Sequence, residues 1–390
     1  MNSLEIFSGM GGLAKGLEQA GFKHSAFVEF NSHACTSLRE NFDARKVFHG
    51  DIRAFDFDRL DSIDVVAGGP PCQPFSLGGK HKAFDDSRDM FPYAIKAIER
   101  LTPKAFIFEN VKGLLRSSFS DYFEYIILRL TYPGFQPEAA GEWSDHLALL
   151  RRLRNMAYTG VTYRVQFKLL NAADYGIPQT RERVVIVGIR SDLNVDWEFP
   201  PETHSEDRLL WDMYVSGDYW KRHNIFPPAA NQECQEHLDK ISRLEGRYGM
   251  FEPTALPWQT VRDSLSEVPD PCSAHKIVDH IYKDGARTYP GHTGSYIDWP
   301  AKTIKAGGHG VPGGENMIRY EDQSIRYFTV HEAKLIQTFP VDFVVKGAWG
   351  EAMRQIGNAV PVKLASVLGQ QIWKSLESSI GQVKKQRSVS

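Results

Sequence analysis

Cys72 stands in the run Gly69-Pro-Pro-Cys-Gln-Pro-Phe-Ser76. Two prolines before it and one after restrict the backbone, and Gly68-Gly69 lets the chain turn sharply off an apolar run. A thiol held this way is aimed, and its thiolate is a nucleophile. Lys80, His81 and Lys82 follow; they can lower a thiol pKa or bind phosphate, and Gly78-Gly79 would let the loop close over a substrate. Cys35, Cys234 and Cys272 have no such setting and read as inert small hydrophobes. Glu109, in Phe108-Glu-Asn-Val111, is a carboxyl at the end of an apolar strand. It can serve as an acid, or it can cap the next helix. In Gln179-Thr-Arg-Glu-Arg183, Arg181 and Arg183 lie two apart. In a strand both share one face and can point at one anion or carbonyl; an exposed ladder with Glu182 is the competing reading.

A further group points to a small ligand. Phe7-Ser-Gly-Met-Gly-Gly12 is a glycine-rich turn between a strand and a helix, where a ligand can approach the backbone. Glu29 ends the next strand and suits ribose hydroxyls; Asp51 ends the third and could accept from an adenine amino group. The turn is not GxGxxG and no P-loop lysine follows, which weighs against a dinucleotide and against ATP. A nucleoside fits better, with an ordinary tight turn as the alternative. Gln355-Ile-Gly-Asn-Ala-Val-Pro361 sets up a helix start, or lets Asn358 cap that same ligand.

Elements must position these residues. Residues 1–115 alternate strands (3–7, 25–29, 47–48, 63–67, 105–108) with helical spacings (13–20, 33–41, 90–101), the texture of a parallel sheet with helices on both faces. In such sheets ligands sit beyond the carboxyl ends of strands. The chemically interesting residues within 1–115 lie at those ends. The organisation expected is a catalytic and cofactor-binding domain over 1–190, with an apparent insertion near 131–157; a smaller domain over 191–325, rich in Pro, Gly, His and Trp; a return over 326–376; and a frayed polar tail over 377–390. Apolar residues make up 42% of the 390 and charged residues 24%, an ordinary globular balance. No run is long enough to cross a membrane, the first residues do not read as a secretion signal, and no CxxC pair suggests zinc. Net charge is −2, yet residues 151–190 hold eight basic against two acidic side chains. Such a stripe can track phosphates, though on charge alone a solvated face is the better reading.

In order and spacing, these segments resemble the cytosine-C5 DNA methyltransferase family. Phe7–Gly12, Glu29 and Asp51 are similar to its cofactor motifs, Pro70-Pro-Cys-Gln73 to its nucleophile motif, Glu109-Asn-Val111 to its ENV motif and Gln179–Arg183 to its arginine motif; Thr329–Pro340 and Gln355–Pro361 are similar to its ninth and tenth motifs. Glu5, where many relatives carry Asp, and the 131–157 stretch depart from the pattern without touching the chemistry. The resemblance implies an α/β, Rossmann-like S-adenosylmethionine-dependent methyltransferase sheet with a smaller target-recognition domain. It implies that S-adenosylmethionine binds at Phe7, Gly9, Gly11, Gly12, Leu13, Glu29, Phe30, Asp51, Ile52, Pro70, Phe91, Asn358 and Val360. Cys72 would add to cytosine C6, Glu109 would protonate N3, Arg183 would hold O2, and Arg181 and Asn110 would support them. The base must be flipped from the duplex. Gln73, Ser76, Lys80, Lys82 and Arg88 would contact DNA, and Lys302, Thr303 and Lys305, beside Gly307-Gly-His-Gly310, would approach the major groove. The expected enzyme is a monomeric bacterial DNA cytosine-C5 methyltransferase without a metal, cytoplasmic and on the nucleoid, protecting host DNA from a cognate restriction endonuclease. A tRNA methyltransferase and a non-catalytic DNA-binding paralogue are the alternatives.

Overall fold

Strand β1 (Asn2–Ile6) is buried from Ser3 onward, and its neighbours in the sheet lie on either side. The structure, a computed structural model, describes residues 1–71, 89–136, 142–227, 232–306 and 316–387. After β1 come α1 (Gly12–Gln19), β2 (Lys23–Glu29), α2 (Ser32–Asn41), β3 (Val47–His49), β4 (Val65–Gly68), α3 (Phe91–Leu101), β5 (Ala105–Val111), α4 (Ser120–Thr131), α5 (Trp143–Leu153), β6 (Tyr163–Asn171), β7 (Gln179–Thr180) and β8 (Glu182–Arg190). The main sheet runs β3-β2-β1-β4-β5-β8-β6. Strands β1 to β5 are parallel and β8 is antiparallel to β5. The chain winds outward from β1 through β2 to β3, then returns to β4 on the other side. The carboxyl ends of β1 and β4 therefore flank the point where strand order reverses, the place where doubly wound sheets bind ligands.

The pleat separates two helical layers. Ala26 and Val28 face a core with Leu4, Ile6, Val66, Phe106 and Phe108, packed under α3, α4 and α5. Phe27 faces the opposite side, with Ala14, Cys35, Leu38 and Val47. Burial on both faces explains why these strands read as continuous apolar runs rather than alternating ones. At Gly68, a Cβ would lie 2.2 Å from the Ile6 carbonyl oxygen, so only glycine lets β4 run this close to β1 before Pro70.

Two compact units divide the chain: residues 1–170, 182–200 and 365–390 form one, and 171–181 and 201–364 the other. These limits differ from those expected from the sequence: the 326–364 segment groups with the second unit, as does 171–181. The second unit contains short paired strands, β9 (His204–Ser205) with β10 (Leu256–Pro257), β7 with β12 (Ala301–Lys302), and β11 (Ser295–Tyr296) with β13 (Met317–Arg319) and β14 (Ile325–Tyr327). Its helices are α6 (Glu206–Tyr214), α7 (Asp218–His223), α8 (Gln232–Tyr248), α9 (Val261–Leu265), α10 (Val330–Ile336) and α11 (Trp349–Asn358). Leu209, Met213, Tyr219, Trp220 and Trp258 make one of its cores. The final helix, α12 (Val362–Arg387), extends through most of the tail expected to fray, where Gln382, Lys384, Lys385, Gln386 and Arg387 are good helix formers.

Candidate active site

The turn after β1 is built on left-handed backbone. Phe7 (φ 52°), Gly9 (φ 53°) and Gly11 (φ 97°) all have positive φ. For Phe7 that conformation costs on the order of 1–3 kcal/mol, and such outliers concentrate at ligand sites. Glu29 ties this turn to the end of β2: Gly9 N donates to one carboxylate oxygen at 2.8 Å and Asn31 N to the other at 2.7 Å. Gly11 caps α1 with no side-chain hydrogen bond to the first-turn amides, which a ligand could therefore meet. Phe30, the next residue after Glu29, is 73% exposed, an aromatic surface unusual for a strand end. Asp51 is already engaged. It accepts from Arg53 N at 2.9 Å and pairs with the Arg53 guanidinium at 2.6 Å, which holds its carboxyl below the ordinary range. Leu13, Gly12, Ile52 and Phe91 are buried, and Pro70 follows the tight Gly68 crossing.

Across the strand-order switch, β5 carries the reactive carboxyl. Glu109, Asn110 and Val111 lie inside the strand, opposite Val185, Val184 and Arg183. Val111, not Glu109, precedes the next turn, so the helix-cap reading of Glu109 does not hold. Antiparallel pairing with β8 lengthens β5 past Phe108 and delivers Arg183 to Glu109. Arg183 Nε stands 2.7 Å from Glu109 Oε1, and the side chains are only 14% and 11% exposed. Arg183 also donates to the Glu182 carbonyl at 2.8 Å. A Cβ on Gly69 would lie 3.6 Å from Glu109 Oε2, so this carboxylate borders the chain entering Pro70-Pro71. Asn110 Nδ2 donates to the Pro70 carbonyl at 2.9 Å. Cys72, Gln73, Ser76, Lys80, His81, Lys82 and Arg88 lie outside the described residues.

A family model for C-5 cytosine-specific DNA methylases matches residues 1–140 and 145–374. The chain belongs to this family. It is a DNA cytosine-C5 methyltransferase, and methyltransferases of this family and fold use S-adenosylmethionine. It is 32% identical to the Type II methyltransferase M.NgoMIV of Neisseria gonorrhoeae over 96% of this chain and 98% of that one. It is 30% identical to the Type II methyltransferase M.Eco47II of Escherichia coli over 95% of this chain and 78% of that one. The fold is also that of S. pombe Dnmt2 methyltransferase, with a TM-score of 0.54 at 16% identity over 96% of this chain and 99% of that one.

Other expected residues of the methyltransferase fall elsewhere. Arg181 is a correction: it precedes β8 and is not part of that strand, so the shared-face argument does not apply to it. Its buried guanidinium donates to the carbonyls of Gly357 (2.8 Å) and Ala359 (3.0 Å) and approaches that of Ile304 (3.4 Å), all within the second unit. The basic stripe is largely consumed within the fold. Arg151 pairs with Asp121 and Glu124, Arg154 with Glu124, Arg164 with Asp196 and Arg190 with Asp192. Asn358 is exposed at the end of α11 and Val360 is buried. Lys302 and Lys305 are exposed; Lys302 Nζ donates to Thr293 Oγ1 at 2.9 Å and Thr303 Oγ1 to the Thr180 carbonyl at 2.9 Å. Gly307–Gly310 lie outside the described residues.

Sequence reasoning placed Gln179 and Gln337 in singled-out segments but gave neither a role of its own. Gln337 Nε2 donates to the Ile356 carbonyl at 2.7 Å, while Gln179 Oε1 accepts from Ile304 N at 3.1 Å. Single buried amides leave no periodic signal to find. Among the described residues no helix is long and apolar enough to cross a membrane, and no group of three His, Cys, Asp or Glu could hold a metal.

Proposed function

We propose that this methyltransferase modifies cytosine within a short specific sequence of duplex DNA, with Cys72 as nucleophile and Glu109 and Arg183 as the groups that hold the base. The observation that carries the reading is the buried Glu109–Arg183 pair beside the chain entering Pro70-Pro71-Cys72. Cytosine C5 is a poor nucleophile. Adding the Cys72 thiolate to C6 moves the C5–C6 electron pair to C5, which can then attack an electrophilic methyl. Glu109 assists by sharing a proton with N3, which draws charge away from the ring as sulfur adds. Arg183, already at Glu109, offers its remaining N–H groups to O2. Loss of the C5 proton then returns the pair to the ring and expels the Cys72 sulfur. Asn110 acts by holding the Pro70 carbonyl. Because the target atom is hidden in a duplex, the base is flipped out first, at about a few kcal/mol.

The β1 turn fits an adenosyl sulfonium ligand. The positive-φ backbone opens a cradle, the Glu29 carboxylate stands at its rim where ribose hydroxyls would donate to it, and exposed Phe30 can stack on a base. Bound there, S-adenosylmethionine would supply the electrophilic methyl, its sulfur leaving as the neutral thioether of S-adenosylhomocysteine. Gly9, Gly11, Gly12, Glu29, Phe30 and Asp51 would hold it, with Phe7, Leu13, Ile52, Pro70 and Phe91 beside them; Asp51 must share its carboxylate with Arg53. Gln73, Ser76, Lys80, Lys82 and Arg88, with Lys302, Thr303 and Lys305, are the proposed DNA contacts. The likeness to Type II methyltransferases supports a role in protecting DNA from a partner endonuclease, and the enzyme is proposed to act as a monomer in the cytoplasm.

The test is incubation with labelled S-adenosylmethionine and mixed-sequence duplex, followed by bisulfite mapping. Methylation at one short motif is expected. Incorporation into tRNA alone would overturn the reading. So would a Cys72→Ser variant that keeps turnover.

A further inference from the structure

The segment from Cys72 to Arg88 begins and ends at described residues that lie together. Met90 N donates to the Pro71 carbonyl at 3.1 Å, so the entry and exit of the segment are bonded to each other. Asn110 fixes the entry through Pro70. Asp89 stands at the exit, only 4% exposed. A buried carboxylate is costly unless it is hydrogen-bonded. Asp89 accepts from Phe91 N at 3.2 Å with one oxygen and from the Tyr122 hydroxyl with the other. Asp89 thus ties the first amide of α3 to the Tyr122 hydroxyl on α4, which fixes where the exit of the segment stands.

Tyr122 is held in turn. Its ring lies edge-on to Trp143 at 5.4 Å, and Trp143 opens α5, the helix within the 131–157 stretch that departs from the family pattern. Tyr125, one turn on, lies 5.8 Å from Trp143, and its hydroxyl lies 3.1 Å from His146 Nδ1. Arg151 joins α5 to α4 through Asp121 and Glu124.

We infer that Asp89 is a positioning residue for the Cys72 segment, anchored by Tyr122, and that α5 braces Tyr122 through Trp143. The inference rests on Cys72 being the nucleophile. It concerns the rate of attack and not the binding of either substrate, since misplacing a reacting group by about 1 Å can cost about a hundredfold.

The experiment uses the full chain, S-adenosylmethionine and a duplex carrying 5-fluorocytosine at the target. The sulfur–C6 bond forms, the C5–C6 pair takes the methyl, and elimination stops because C5 carries fluorine in place of the departing proton. The adduct is then counted on a denaturing gel. Tyr122→Phe should slow adduct formation about tenfold, as expected for one lost bond to a charged group, with DNA and cofactor affinity within about twofold of the parent. Asp89→Asn, which keeps an acceptor, should fall between parent and Asp89→Leu. Asp89→Leu with Tyr122→Phe replaces the polar pair by an apolar one. It should recover part of the thermal stability lost in Asp89→Leu, the Phe91 amide still lacking its acceptor, while adduct formation stays slow. A rate that recovers together with stability would reduce Asp89 to packing and overturn the inference. So would unchanged rates in all three variants. A Cys72→Ala variant that still forms the adduct would overturn the nucleophile reading instead, whatever Asp89 does.

Discussion

Arg183 and Arg181 are two residues apart and do opposite things. In the sheet unit, Arg183 faces a carboxylate at a strand end, and its surroundings are held by backbone ladders and apolar packing. In the second unit, Arg181 spends its guanidinium on carbonyls, and the same pattern recurs. Lys334 Nζ donates to the carbonyls of Phe343 at 2.7 Å and Val341 at 3.1 Å, and Gln337 Nε2 to that of Ile356 at 2.7 Å. The sheet can leave charged groups for chemistry because its backbone is satisfied by seven paired strands. The second unit has strands of only two or three residues, so buried polar side chains satisfy backbone that no ladder reaches.

The comparison predicts activity loss without instability in one unit and the reverse in the other. Glu109→Gln should lower the methylation rate by about 10²–10⁴-fold while Tm moves far less, because the amide keeps the shape of the carboxylate beside Arg183; paired kinetics and melting would show it. Arg181→Met should cost about 3–5 kcal/mol in denaturant unfolding by stranding buried carbonyls. If Arg181→Met were neutral, the clamp would be dispensable and the contrast would fail.

Acid should weaken both units. Burial, helped by the charge of Arg129, pushes His146 down to about 4 in the first. Burial, helped by Lys363, pushes His204 down to about 4 in the second. Each folded value lies below the unfolded 6.5, so the unfolded chain binds more protons between them. Stability is full above about pH 6.5 and drains as pH falls toward 4. His146→Phe and His204→Phe should each flatten the fall of Tm between pH 7 and 5; an unchanged slope would mean the rings are protonated or solvated when folded. The smallest effect should come from Lys112→Ala. Its pair with Glu182 (2.8 Å) is exposed on both sides, and removing it should change unfolding by less than about 1 kcal/mol.

The parallel core was legible because doubly buried strands are continuous apolar runs broken by glycine, and 63–67 and 105–108 show it plainly. The 191–320 region did not announce α6 to α9, since short helices in a polar-clamped unit carry weak periodicity. Residue types and order alone also singled out the glycine turn, Glu29, the Pro-Pro-Cys segment and Glu109, because each needs a special side chain or backbone at a strand end. Tertiary structure alone decided the antiparallel β8 that extends β5 around Glu109, the separate fates of Arg181 and Arg183, the diversion of Asp51 to Arg53, and the Asp89–Tyr122–Trp143 chain. Those rest on strand direction and on contacts between residues tens of positions apart. Spacing along the chain records neither, because partner choice is settled only when the strands and helices pack.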